Sequence, residues 1–465
     1  MSLLGHRHID GVANRRDTFS HCAIHSPHAR RFLKSETSMD TTTRRQILQA
    51  GASLAALGAV PGAALAAMGP DDKFDLLIRN ANLMDPSQGL SGKRDIGIRF
   101  GKIELIDASI PPERAQRVMD AGGKLVTPGL IDLHCHTYPY GSAIGIPADE
   151  LMAHQCTTTV VSAGDSGANN FAAFRRFVVP ASRTRQFAFV HIAVAGLAGF
   201  PVPELFNIDY AVPEIAARAV AENADMVLGI KVRMSENVIA RHGTEPLKRA
   251  IKACELSGVP AKIMCHIGGV ADQALMSQIL DLLRPGDVLT HCYSGAPNNA
   301  GMGTNIVQDG KLLPAALAAK KRGVIFDIGH GGGSFDYTIA EAAIQQGCPP
   351  DTISSDVHVF SANTPGMPYL PWVMSKFIGM GFSMQEVISM ATTAPARVIG
   401  RIPKHGTLQL GAPADLSILE IVEGPVSFVD TRNNKRDGKV YLKPVGTVVA
   451  GVASGRPYQS PFTVR

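Results

Sequence analysis

A single tryptophan, few charges and no long apolar run set the first limits on this chain of 465 residues. Apolar stretches this short exclude a stable membrane span. No segment recurs at a fixed period, which excludes repeat solenoids and propellers. Positive charge is also scarcer than the net +5 suggests. Residues 1–66 carry eight Arg or Lys against four acids, so the remainder is close to neutral. That remainder has no basic stripe with interleaved aromatics, and nucleic-acid binding is excluded as a function class. Of seven cysteines, six lie beyond residue 66, at 135, 156, 254, 265, 292 and 348. Three of these stand beside histidines in apparent strands, so no disulfide framework is expected. What the chain does have is ordinary: 45% hydrophobic residues, and length for two to three domains.

Residues 43–66 read TRRQILQAGASLAALGAVPGAALA. Arg44-Arg45, a modest apolar run and Ala64-Leu65-Ala66 match a twin-arginine-type signal with its cleavage site. The expectation is a leader and signal peptide over 1–66, and a periplasmic or secreted protein. Residues 1–38 show no periodicity and Met39 sits just ahead of the signal, so translation starts at Met1 or at Met39.

The body divides by pattern. Residues 72–127 are short alternating strands with glycine turns, among them KFDLLIRN and DIGIRFGKIELI. From 128 to 401, apolar strands alternate with amphipathic helices. Strands are expected at 130–136, 158–163, 186–194, 226–232, 261–267, 287–292, 323–328 and 352–356. Helices are expected at 170–178, 213–223, 244–256, 271–283, 312–322 and 337–346. Eight such strands imply an α/β protein built on a closed parallel (β/α)8 TIM barrel. Residues 402–465 return to strands, and pair with 72–127 in a small β-sandwich beside the barrel.

In a barrel of this kind reactive groups stand at the C-terminal strand ends. The first strand ends in His134-Cys135-His136, and alternation puts both imidazoles on one face, about 7 Å apart along the strand. Imidazole suits zinc, iron and nickel, although a lone pair of this kind equally describes solvated or core histidines. Later strand ends contribute His266, His291, His330 and Asp356. Lys231 lies inside an apolar strand, where an unpaired ammonium is costly on either face.

In order, VTPGLIDLHCHTY, IKVRMS, MCHIGG, LTHCYSG, FDIGHG and ISSDVH resemble the amidohydrolase superfamily, specifically its dihydroorotase-like amidohydrolase/deacetylase branch. AGDSGANNF and GTLQLGAPADLSILE are similar to the same branch, and the likeness runs over about 72–455. It implies two divalent metal ions, most often zinc. His134, His136 and Asp356 would hold the more buried ion and His266 and His291 the more exposed one. Lys231, carboxylated by CO2, would bridge them. It also implies a water ionised near neutral pH, with Asp356 as the catalytic group that takes its proton and passes it on.

The branch points to a small acylated acid as substrate, an N-acyl amino acid or an O-acetyl hydroxy acid. The alternative is a cyclic amide of the dihydroorotase or hydantoinase kind. A non-catalytic relative would have lost ligands, and all six are present. Arg233 shares a face with Lys231 and is read either as a clamp on a substrate carboxylate or as half of a salt bridge. His330 is read as a substrate hydrogen-bond donor or as a packed imidazole. Tyr138 and Tyr140 are read as pocket wall or rim packing. Members of the family often assemble, so a homo-oligomer is expected.

Overall fold

The computed structural model describes residues 68, 69 and 71–455; the expected leader and signal peptide lie outside the described residues. Chain order begins with β1 (Leu76–Asp85), β2 (Leu90–Arg99), β3 (Lys102–Asp107), β4 (Val118–Asp120) and β5 (Leu125–Pro128). The barrel strands follow: β6 (Leu130–Cys135), β7 (Thr157–Gly167), β8 (Arg185–His191), β9 (Val227–Arg233), β10 (Lys262–His266) and β11 (Val288–Thr290). A short hairpin, β12 (Val307–Gln308) and β13 (Lys311–Leu312), precedes the last barrel strand, β14 (Ile325–Asp327). The chain then closes with β15 (Leu416–Val429), β16 (Lys435–Val449) and β17 (Val452–Gly455).

Seven of these strands form one parallel sheet in the order β14-β11-β10-β9-β8-β7-β6. Every residue of β6 and β7 is buried, as a strand covered on both faces must be. The eighth place is filled by residues 352–357, which close the sheet without forming a continuous strand. On one side Thr352 bridges to Asp327, and on the other Val357 bridges to Cys135. The Asp356 amide donates to His134 O at 2.7 Å and the His136 amide to Val357 O at 3.2 Å. Pairing stops being regular because Asp356 has a left-handed backbone, φ 48°. The expected strand 287–292 likewise ends at Thr290, since His291 has φ 65°.

The flanking segments meet in one eight-stranded sheet, ordered β17-β16-β15-β5-β1-β2-β3 with β4 on β1. The join is antiparallel, Leu416 to Leu419 against Pro128 to Leu125. A separate core of Leu76, Ile78, Leu83, Ile96, Val126, Leu408 and Leu416 lies under this sheet. The two flanking segments thus share a single hydrogen-bonded path. Its long β15–β16 hairpin reaches back over the barrel onto the helix Leu370–Gly379, where the Leu442 amide donates to Ser375 Oγ at 2.9 Å.

Helices occupy five of the expected stretches: Pro213–Glu222, Glu245–Leu256, Gln273–Leu282, Pro314–Arg322 and Tyr337–Gln345. In the sixth, Phe171–Ala173 forms a short turn that widens into a π-helical turn at Phe174–Val178. Among the described residues no helix is long and apolar enough to cross a membrane.

Candidate metal centre

His134 is the penultimate residue of the first barrel strand and His136 lies one residue beyond its end, while the intervening Cys135 points the other way. The Cys135 thiol faces Val161 O and packs with Ala148, Leu151 and Val160. Opposite the two histidines, on the closing segment, Asp356 Oδ1 stands 3.1 Å from His134 Nε2 and 3.0 Å from His136 Nε2. Lys231 Nζ, from β9, lies 3.1 Å from His134 Nε2. At the last residue of β10 and just past β11, His266 Nδ1 and His291 Nε2 face each other at 2.8 Å, and His291 Nε2 is 3.9 Å from Asp356 Oδ2. These six side chains form one continuous cluster, buried but for a half-buried His266.

Hydrogen bonds behind the cluster set which ring nitrogen looks inward. His136 Nδ1 donates to Asp165 Oδ1 at 3.0 Å. Asp165 also accepts from the Thr137 amide and from Ser162 Oγ, at 3.0 and 2.7 Å. His291 Nδ1 donates to Gly329 O at 2.5 Å, and His134 Nδ1 is 2.6 Å from Thr290 Oγ1. Each Nε2 therefore faces the centre. Such outer partners fix ring orientation and raise ligand basicity.

This arrangement fits a cation. With Nδ1 committed to Asp165, His136 turns an unprotonated Nε2 toward the Asp356 carboxylate unless the ring takes up a second proton. Two acceptors 3.0 Å apart repel unless a positive charge lies between or on them. Without a metal that charge is a proton: burial opposes it, but Asp165 and Asp356 outweigh burial and push His136 up to about 9. Burial pulls His291 down to about 4 and Lys231 down to about 8, so neutral donors are readily available. Asp356 is held well below the carboxylate range; burial works against this, and His134, His136 and His291 prevail. His134, His136 and Asp356 have ligand atoms all within 4.8 Å of one another, the arrangement that can hold one ion.

Close packing protects the geometry. Gly331 has φ 54°, and a Cβ there would collide with Asp356 Oδ2. Left-handed backbone at two members of the cluster, His291 and Asp356, is the kind of local strain that persists where surrounding contacts over-determine it.

A cavity of about 370 Å³ opens over the cluster, lined by His136, Lys231, His266 and Asp356. Ile144, Leu197, Phe200 and Phe360 form an apolar side, and Gly332 to Ser334, Ser361 and Thr364 a polar one. Arg233 lines it too, paired with a loop acid as one of its two readings expects. Its Nη1 contacts Glu204 at 3.2 and 3.1 Å, so it is half of a salt bridge and also part of the wall.

The other expected substrate contacts lie elsewhere. His330 is fully buried, 2.7 Å from Lys376 Nζ and stacked on Phe335 at 4.9 Å. Left-handed backbone at Gly329 and Gly331 breaks the strand alternation that would have aimed it at the mouth. Tyr138 packs on Phe174 and donates to Asn170 O at 3.2 Å. Tyr140, with φ 64°, is fully exposed; both tyrosines border a neighbouring cavity of about 490 Å³ instead. Sequence reasoning missed Asp165, Glu204, Thr290 and His358. AGDSGANNF carried the one visible signal, an aspartate at a strand end, without a role.

No protein-family model matches the chain. Against known proteins it is 34% identical over 355 residues to a deacetylase of Agrobacterium fabrum, covering 76% of this chain and 84% of that one. The chain belongs to the amidohydrolase superfamily, in its dihydroorotase-like amidohydrolase/deacetylase branch. As an amidohydrolase it is a metal-dependent hydrolase. Two solved structures share the barrel of this amidohydrolase closely. One, titled an adenine deaminase, has a TM-score of 0.74 at 30% identity, covering 82% of this chain and all of that one. The other, titled a dihydroorotase, has a TM-score of 0.73 at 31% identity, covering 82% and 97%. The three names agree on hydrolysis at a carbon–nitrogen or acyl centre and differ in substrate.

Proposed function

We propose that this amidohydrolase hydrolyses the amide or ester bond of a small acylated acid, an N-acyl amino acid or an O-acetyl hydroxy acid. One observation carries the reading: a guanidinium, Arg233, shares the 370 Å³ cavity with the ligand cluster. Glu204 engages it only through Nη1, so Nε and Nη2 remain for a two-pronged contact with a substrate carboxylate. Glu204 also lies 3.2 Å from His191 Nε2.

His134, His136 and Asp356 would hold one divalent cation and His266 and His291 a second, with Lys231 joining them as a carbamate; zinc is the ion we expect. When bound, such ions supply Lewis acidity, polarising a carbonyl and bringing the ionisation of water near neutral pH. The chain's own groups do the rest. Asp356 Oδ2, the oxygen not shared by the two imidazoles, accepts the proton of the attacking water and delivers it to the leaving nitrogen or oxygen. Ile144, Leu197 and Phe200 exclude bulk water from the acyl side. Arg233 orients the acid so that its acyl carbonyl meets the cluster.

The test is turnover of N-acyl and O-acyl acids beside dihydroorotate and hydantoins, with the metal content of the protein measured in parallel. Arg233→Met should raise KM for an anionic acyl acid by about 10- to 100-fold, the worth of a charged hydrogen bond, and leave an uncharged ester analogue unaffected. Turnover of cyclic imides alone would replace this reading with the cyclic-amide one. Fewer than one metal per chain after supplementation would sink the binuclear centre.

A further inference from the structure

Asp327, at the end of β14, is fully buried beside the cluster and touches none of its six members through a hydrogen bond. Three hydroxyls surround its carboxylate. Thr352 Oγ1 lies 2.6 Å from Oδ1, and Ser354 Oγ and Thr290 Oγ1 lie 2.7 and 2.8 Å from Oδ2. Ser354 Oγ already accepts from the Gly329 amide at 3.0 Å, so its own hydrogen goes to Asp327. Burial pushes the Asp327 carboxyl up and the three hydroxyls oppose that rise; as the anion it only accepts, which makes all three hydroxyls donors.

For Thr290 this has a consequence. A hydroxyl has one hydrogen, and here Asp327 takes it. Toward His134 Nδ1, 2.6 Å away, the Thr290 oxygen can then act only as an acceptor. His134 must carry its hydrogen on Nδ1 and its lone pair on Nε2. Lys231 Nζ, a donor when charged, faces that same Nε2 at 3.1 Å and supplies the positive charge that the Asp356 carboxylate, also 3.1 Å from Nε2, requires beside a lone pair.

We propose that Asp327, acting through Thr290, is a positioning residue that locks His134 in the Nδ1–H tautomer and so keeps Nε2 open to a cation. It does at one remove what Asp165 does directly for His136. The two ligands of the His-x-His pair are thus set by separate carboxylates on different strands, β7 and β14. The consequence for metal affinity rests on the metal reading above; the tautomer itself does not.

Nitrogen-15 labelling of histidine in metal-free protein reads the tautomer, with His134 assigned by the signal lost in His134→Gln. Wild type and Thr290→Ser should show the Nδ1–H form, and the near-isosteric Thr290→Val a shift toward the Nε2–H form. In chelator competition, Thr290→Val should bind zinc roughly 10- to 100-fold more weakly, with Thr290→Ser within about threefold of wild type. Asp327→Asn should weaken zinc in the wild-type background and add little to Thr290→Val, as members of one chain do. Circular dichroism confirms that each variant is folded, and the Thr290 pair decides the matter if Asp327→Asn is not. An Nε2–H His134 in the metal-free wild type overturns the proposal, as does a Thr290→Ser variant as impaired as Thr290→Val. Wild-type protein that binds no zinc would instead overturn the metal reading, while the tautomer signal still decides this one.

Discussion

Asp165 shows how a single charge orients a histidine of the cluster from behind. It receives His136 Nδ1 at 3.0 Å and is fixed by Thr137 and Ser162. Burial pushes its carboxyl up, yet the His136 interaction holds it below the ordinary aspartate range. Asp165→Asn keeps the shape and removes the charge, so His136 becomes a less basic and less firmly oriented ligand. Metal affinity should fall roughly 10- to 100-fold with little change in melting temperature. Chelator competition measures it, and an unchanged affinity would show that Asp165 only fills space. At this scale the cluster was legible where a residue type and a strand end coincide, as at His134, His136, His266, His291 and Asp356, and at Lys231 from a lone lysine inside an apolar strand. Thr290 and Glu204 were not readable, because hydroxyls and loop acids recur everywhere and only folding brings these beside the cluster. His330 misled because alternation presumes extended backbone, and the glycines around it are left-handed.

Among the elements, β7 carries a constraint that reaches the cluster. At Gly164, φ 88°, a Cβ would lie 2.6 Å from Lys231 Cγ and 2.8 Å from its Cβ, with His191 close by. Gly164→Ala therefore combines a strained backbone with overpacking against the residue at the middle of the cluster. A loss of about 1–3 kcal/mol is expected from the overpacking, with a fall in bound metal because Lys231 is displaced. Denaturant titration and metal analysis test both, and full metal content in a destabilised variant would confine the effect to stability. The alternation of strand and helix was legible because buried parallel strands read as apolar runs. The eighth barrel position was legible as residues 352–356 but not as a segment lacking regular pairing, since left-handed Asp356 gives no sequence signal. The helices Ala148–Gln155, Leu370–Gly379, Met384–Ala391 and Thr393–Ile399 lay outside the periodic stretches. The first has polar and apolar residues poorly separated, and the second is largely buried, so neither shows a clean amphipathic stripe.

For the molecule as a whole, polar contacts join the barrel to the flanking sheet, and a buried histidine lies beside them. Arg185 on β8 grips Asp415 through Nε and Nη2 at 2.6 and 3.1 Å, and the Leu130 amide donates to Ser417 Oγ at 2.8 Å. Beside them His405, on the segment returning from barrel to sheet, sets Nε2 3.0 Å from Thr159 Oγ1 of β7. Burial pulls its pKa down to about 4; Asp415 opposes this and Arg185 adds to it. The folded state therefore resists a proton that the unfolded chain accepts near 6.5. Between those values the unfolded state binds more protons, so stability falls as pH drops from about 6.5 toward 4 and is level above that window. The loss from this one residue is at most about 3 kcal/mol, at roughly 1.4 kcal/mol per pH unit. His405→Gln keeps a hydrogen-bonding group toward Thr159 and cannot be charged. Its unfolding free energy, measured in denaturant from pH 4 to 7, should fall less steeply than that of the wild type, and the two curves should run parallel above pH 7. Parallel curves throughout would mean that His405 accepts its proton freely in the fold, and that acid sensitivity of the joint comes from elsewhere.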